Sequence, residues 1–144
     1  MIGLLAAYAL LSQARAAELT WLTDLPKAQA QAKTENKMVL MDFTGSDWCG
    51  WCIKFDKEVF ATKEFADYAA KNLVLVQLDF PRRKEQSADL KKANTALQSK
   101  YDVSGFPTLV VLDKDGKVAG KQVGYLEGGP KAFIAKIKEF AEKK

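Results

Sequence analysis

The chain has 144 residues, of which 48% are hydrophobic and 28% charged, with a formal net charge of +4 at neutral pH. That length and balance suit one ordinary globular domain with a single core, and they exclude a disordered or fibrous chain. The basic residues are spread along the whole length, the densest group being Arg82, Arg83 and Lys84 beside Pro81. This is a pattern of solvated surface rather than of nucleic-acid binding.

In chain order, residues 2–11 form an uncharged apolar run that leads into Ala14-Arg15-Ala16, the small-x-small pattern that a signal peptidase accepts. Residues 1–16 therefore read as a secretory signal and residues 17–144 as a single domain, although no Lys or Arg precedes the apolar run. A buried N-terminal helix is the competing reading, but it leaves the processing pattern unexplained. A membrane span needs about 20 apolar residues, so a permanent anchor is disfavoured. The expected location is periplasmic or secreted, where disulfides persist.

Thr23-Asp24 ahead of Pro26 marks a helix start, since a capping oxygen and a first-turn proline both suit unpaired N–H groups. This helix runs to about Asn36, and residues 38–43 follow as an apolar run of strand length. Residues 53–60 read as a helix, and residues 63–71 as another with Phe65, Tyr68 and Ala69 on one face. Residues 73–78 are a second buried strand and residues 88–101 a helix. Residues 109–112 and 117–123 form a hairpin around Asp113-Lys114-Asp115-Gly116, where Asp-Gly supplies the positive φ of a tight turn. A closing helix from about Pro130 puts Phe133, Ile134, Ile137 and Phe140 on one face. The pattern predicts the α/β class, a sheet with helices on both faces.

Both cysteines lie in D-F-T-G-S-D-W-C-G-W-C, residues 42–52, where the first strong strand ends and a helix begins. A helix N-terminus carries roughly half a positive charge and unpaired N–H groups, which stabilise a thiolate. Cys49 is thus the expected attacking thiol. Cys52, one turn on, is the expected resolving thiol, with Gly50 and Trp51 shaping the turn between them. A structural disulfide closing so short a loop would constrain the unfolded chain little. A zinc site usually takes four ligands, and the chain has two Cys and no His. Haem attachment needs His after the second Cys, where Ile53 stands. No metal site is expected, and no cofactor beyond the redox-active Cys49–Cys52 disulfide. No phosphate-binding Gly motif is present, so electrons must arrive by thiol exchange.

Asp42-Phe43, Trp48-Cys49-x-x-Cys52 and Gly105-Phe106-Pro107-Thr108, in that order and separated by helix and strand signals, resemble the thioredoxin superfamily over about residues 20–144. The longer stretch through K-F-D-K-E-V-F is similar to its secreted bacterial members. The resemblance implies a thioredoxin fold, a central mixed sheet flanked by helices. It implies a cis Phe106-Pro107 bond against the cysteine pair, in a loop with Thr108 that pairs with substrate backbone. Trp48 matches the tryptophan flanking the attacking thiol, and Gly124 the glycine that leaves room for a substrate chain. Asp42 matches the buried carboxylate that takes the proton of the resolving thiol; the alternative for Asp42 is a strand-end residue that caps or faces solvent.

There are departures from thioredoxin. The loop from Asp42 to Cys49 is one residue longer, and the lysine that accompanies the carboxylate is replaced by Leu75 or a neighbour. Trp51 stands where thioredoxin has proline and oxidases and isomerases often have histidine, which tilts the reading toward a reductant. Residues 81–92 are longer and basic, either a partner contact or a solvated loop. The expected function is thiol–disulfide exchange on protein disulfides, probing them with an exposed apolar rim of Trp48, Trp51 and Phe106. The expected partners are those substrates and a membrane electron donor, with no nucleic acid, and the expected state is a monomer. Disulfide oxidation or isomerisation, and a non-catalytic binding module, are the alternatives.

Overall fold

The computed structural model describes residues 18–143, and the signal reading of residues 1–16 lies outside them. The chain enters through a two-residue strand β1 (Trp21–Leu22), which is too short to leave a sequence pattern. Helix α1 (Leu25–Glu35) starts where expected: the Asp24 side chain accepts the Lys27 N–H at 3.1 Å and Pro26 occupies the first turn. Asn36 ends it in the left-handed region at φ 55°. Strand β2 (Met38–Thr44) then leads to α2 (Gly50–Phe55), α3 (Lys63–Asn72), β3 (Leu73–Asp79), α4 (Ala88–Lys100), β4 (Thr108–Leu112), β5 (Val118–Val123) and α5 (Gly129–Glu142).

The five strands form one mixed sheet in the order β1-β3-β2-β4-β5. The first two pairings are parallel and the last two antiparallel. Central β2 is buried on both faces, which is why its sequence is a continuous apolar run and not an alternating one. Its side chains nonetheless alternate in destination. Leu40 packs with Phe55, Val59 and Phe133 under α2, α3 and α5, whereas Val39, Met41 and Phe43 pack with Ala28 and Ala32 under α1. Asp42, two residues beyond Leu40, shares the face that α2 covers.

The helix begins at Gly50 with Cys49 as its cap, where the cysteine motif placed a helix N-terminus, but residues 53–60 are not one uniform helix: after Phe55 it widens into a π-helical segment (Asp56–Phe60), where the Ala61 N–H reaches back five residues to the Asp56 carbonyl at 2.8 Å. The added residue in the turn carries Val59 and Phe60 into the core beside Phe55. Such π-helical turns are frequent at functional sites.

Candidate active site

The loop after β2 and the end of β3 with the residues that follow it build one side of the site. Ser46 donates to both carboxylate oxygens of Asp79, from its N–H at 3.0 Å and its hydroxyl at 2.5 Å. Asp47 accepts three consecutive N–H groups, of Arg82, Arg83 and Lys84, at 2.9, 2.8 and 2.8 Å. These bonds hold its carboxyl near pKa 2, the Arg82 N–H contributing most. Trp48 donates its indole N–H to the Phe80 carbonyl at 2.7 Å. The loop that delivers Cys49 is therefore strapped to residues 79–84 by side-chain and backbone hydrogen bonds.

Cys49 is the N-cap of α2. Its N–H is tied to the Gly45 carbonyl at 2.9 Å, and its Sγ accepts the Cys52 N–H at 3.2 Å. A donor aimed at that sulfur favours its thiolate once the bond opens. Cys49 and Cys52 are joined as a disulfide, with Cα atoms 5.2 Å apart. Both are buried, while Gly50 between them is exposed and a Cβ there would meet no atom within 4 Å. No helix of the described residues is long and apolar enough to cross a membrane, and among them no group of three acidic or thiol side chains is gathered to hold a metal.

The loop before β4 supplies the facing wall. The Phe106–Pro107 peptide is cis, Pro107 is buried, and its carbonyl accepts the Gly124 N–H at 2.8 Å. Gly124 sits at φ 80° with open space where a Cβ would be, so its backbone requires glycine independently of any substrate. The Thr108 hydroxyl donates to the Gly105 carbonyl at 2.7 Å and closes the turn into β4. Trp48, next to Cys49, meets Phe106, next to Pro107, edge-on at 5.9 Å, and Phe106 stacks on Phe80 at 5.0 Å. That contact brings the proline loop and the cysteine turn together.

The apolar rim needs correction. Trp51 is 58% exposed, but Trp48 and Phe106 are only half-exposed, because they pack on each other and Trp48 spends its N–H on Phe80. Trp51 instead pairs with Tyr125 at 5.2 Å, a residue that sequence reasoning missed. The Lys54 ammonium lies over both rings, at 5.4 and 5.0 Å. The Tyr125 hydroxyl donates to Glu58, and that bond to an anion pushes its pKa up to about 12.

Asp42 is buried, which excludes the solvent-facing alternative. Burial pushes its pKa up to about 8, with smaller contributions from the charges of Asp56 and Asp79. Its register partner on β3 is Gln77, two residues beyond Leu75, so a neutral amide stands where the family's lysine was sought. Asp56, one turn beyond Cys52 at the start of the π-helical segment, also has a raised pKa through burial. Neither Asp47, Tyr125 nor Asp56 had a sequence signal, because each acts across the fold or through an irregular turn.

The chain matches the family described as Thioredoxin-like domain over residues 25–141. It is 37% identical over 123 residues to Disulfide bond reductase DsbH of Chlamydia pneumoniae, covering 85% of this chain and 73% of that one. It is 31% identical over 119 residues to Thiol:disulfide interchange protein DsbD of Pseudoalteromonas atlantica, covering 81% of this chain and only 18% of that one. A solved structure described as DsbH Oxidoreductase superposes with a TM-score of 0.82 at 34% identity, over 93% of this chain and 94% of that one. The chain belongs to the thioredoxin-like family, and with its paired cysteines it is a thiol–disulfide oxidoreductase.

Proposed function

We propose that this oxidoreductase reduces protein disulfides outside the cytoplasm. The observation that carries the reading is Cys49 at the head of α2, its sulfur already accepting the Cys52 N–H, beside a proline loop and an exposed Trp51. In the dithiol form the Cys49 thiolate attacks one sulfur of a substrate disulfide. A Cys49–substrate bond forms and the other substrate sulfur leaves as a thiolate. Cys52 then attacks Cys49 Sγ, the second substrate sulfur leaves, and the Cys49–Cys52 disulfide results. Two electrons pass to the substrate. Asp42 takes the proton of Cys52, for which a pKa of about 8 is close to the ordinary thiol value of about 8.5.

The absence of an imidazole between the cysteines supports the reducing direction, as does the word reductase in the DsbH name. The uncharged apolar run of residues 2–11 and the Dsb relatives support a periplasmic or secreted location. A reductant there must be recharged through its cysteines, and a membrane electron carrier suits that need.

The test is turnover. Wild type should accelerate insulin reduction by dithiothreitol, Cys49→Ser should lose this, and Cys52→Ser should accumulate a mixed disulfide at Cys49. A couple near the ~−270 mV of thioredoxin supports the reductant, while one near ~−180 to −120 mV would make it an oxidant or isomerase. No turnover would leave the binding-module reading.

A further inference from the structure

The basic group at residues 82–84 is not consumed in ion pairs within 4 Å among the described residues. The hydrogen bonds from this segment to Asp47 all come from backbone N–H groups, and of the three side-chain charges only that of Lys84 adds to the field at the Asp47 carboxylate. The side chains of Arg82, Arg83 and Lys84 are exposed, and among the described residues none is ion-paired with a carboxylate. The Lys84 ammonium donates to the neutral Ser46 hydroxyl at 3.1 Å. The Arg82 guanidinium lies 3.6 Å from the centre of the Trp48 ring. An arginine resting on an aromatic face keeps its in-plane N–H donors for a carboxylate, and its rotamer is already restricted. Within residues 81–85 the only opposing charge is Glu85, also exposed.

Position gives this charge a use. Trp48 is the residue before Cys49 and touches Phe106 of the proline loop, so the Arg82 head group stands at the rim of the place where a substrate disulfide must be attacked. We propose that residues 82–84 are a cationic docking strip for acidic side chains that flank the disulfide of the polypeptide substrate. Because Arg82 rests on the residue next to Cys49, the matching Asp or Glu lies close in sequence to the attacked cysteine of an extended substrate. The strip selects acidic substrates by raising their encounter rate and orienting them, and Asp47 holds it rigid for that purpose.

This inference rests on the reading that Cys49 exchanges with protein disulfides, and the experiment separates the two. Three synthetic disulfide peptides, flanked by Glu, Gln or Lys, are reduced by the pre-reduced protein in about 0.01 M and about 1 M salt, where the screening length falls from about 30 to about 3 Å. The expected second-order rate constant of this single turnover is roughly tenfold higher for the Glu peptide than for the Lys peptide at low salt, with the ratio collapsing at high salt. Arg82→Glu combined with Arg83→Glu should invert the order, since the backbone bonds to Asp47 do not use those side chains. Equal rates for all three peptides would overturn the docking strip and leave the exchange reading intact. Failure to reduce any of them would overturn the exchange reading. In that event binding of cysteine-free versions of the peptides, followed by anisotropy, still tests the strip: a Glu preference lost in the double variant supports it, and no preference rejects it.

Discussion

Asp42 keeps a carboxyl inside a strand that is buried on both faces, and the molecule is less stable for it at neutral pH. Its pKa is raised from the ordinary 3.8 to about 8. Between those values the folded protein holds the proton while the unfolded chain releases it. The unfolded state binds fewer protons, so stability falls as pH rises from about 4 to about 8 and is level above that. Asp42→Asn removes the titration. We expect the oxidised variant to unfold at least about 5 °C higher than wild type at pH 8.5 and to show a clearly smaller gain at pH 5, measured by thermal circular dichroism. An equal shift at both pH values would mean that the gain is one of packing and not of charge. The same variant should slow release of substrate from the Cys49 mixed disulfide, because Cys52 loses its proton acceptor. At this scale the sequence was most informative for the cysteines, whose spacing is itself the chemistry. It was least informative for partners set by register: Gln77 lies opposite Asp42, and no pattern within β3 distinguishes it from Leu75.

The elements carry the two devices that hold the cysteine turn. One is the aromatic packing under α2, where Phe133 of α5 meets Phe55, Phe60 and Phe65 at centroid distances of 5.1, 6.1 and 6.0 Å. Phe133 is fully buried, so Phe133→Ala leaves a cavity beneath the active-site helix and should cost about 3–5 kcal/mol, read from urea unfolding with an unchanged slope. A cost below about 1 kcal/mol would mean that the helices collapse to fill the space. The other device is the clamp of Asp47 on the three N–H groups of residues 82–84. Asp47→Ala should make those amides exchange at least about tenfold faster with solvent while the core amides of β2 and β3 keep their protection. Uniform loosening would instead mark Asp47 as part of global stability. Most of the elements were legible from sequence, because caps such as Asp24 and the apolar runs of β2 and β3 are local signals. The π-helical widening at Asp56 and the clamp were not. The first depends on how Val59 and Phe60 meet the core, and the second joins residues some 35 positions apart.

For the whole molecule the open question is whether the sheet edges invite a second copy. A sheet that ends in a long, flat, apolar strand is a template for pairing, and this one ends differently on both sides. At one edge β1 offers only Trp21 and Leu22. At the other, β5 runs six residues, with a register shift opposite Val111 and Leu112 that distorts the ladder. Lys121, in the middle of β5, is tied to the Tyr101 and Asp102 carbonyls at 2.8 and 2.7 Å, which anchors this strand to the end of α4. Exposed Val118 and Val123 stand at opposite ends of β5 and do not form a continuous patch. These features predict a monomer, so light scattering on a sizing column should report one chain, 16.0 kDa for the full sequence, with no rise as concentration increases. A concentration-dependent dimer that Val123→Lys disperses would show that β5 pairs after all. Pairing there would crowd Gly124 and its bond to the Pro107 carbonyl, linking oligomeric state to access at the cysteines.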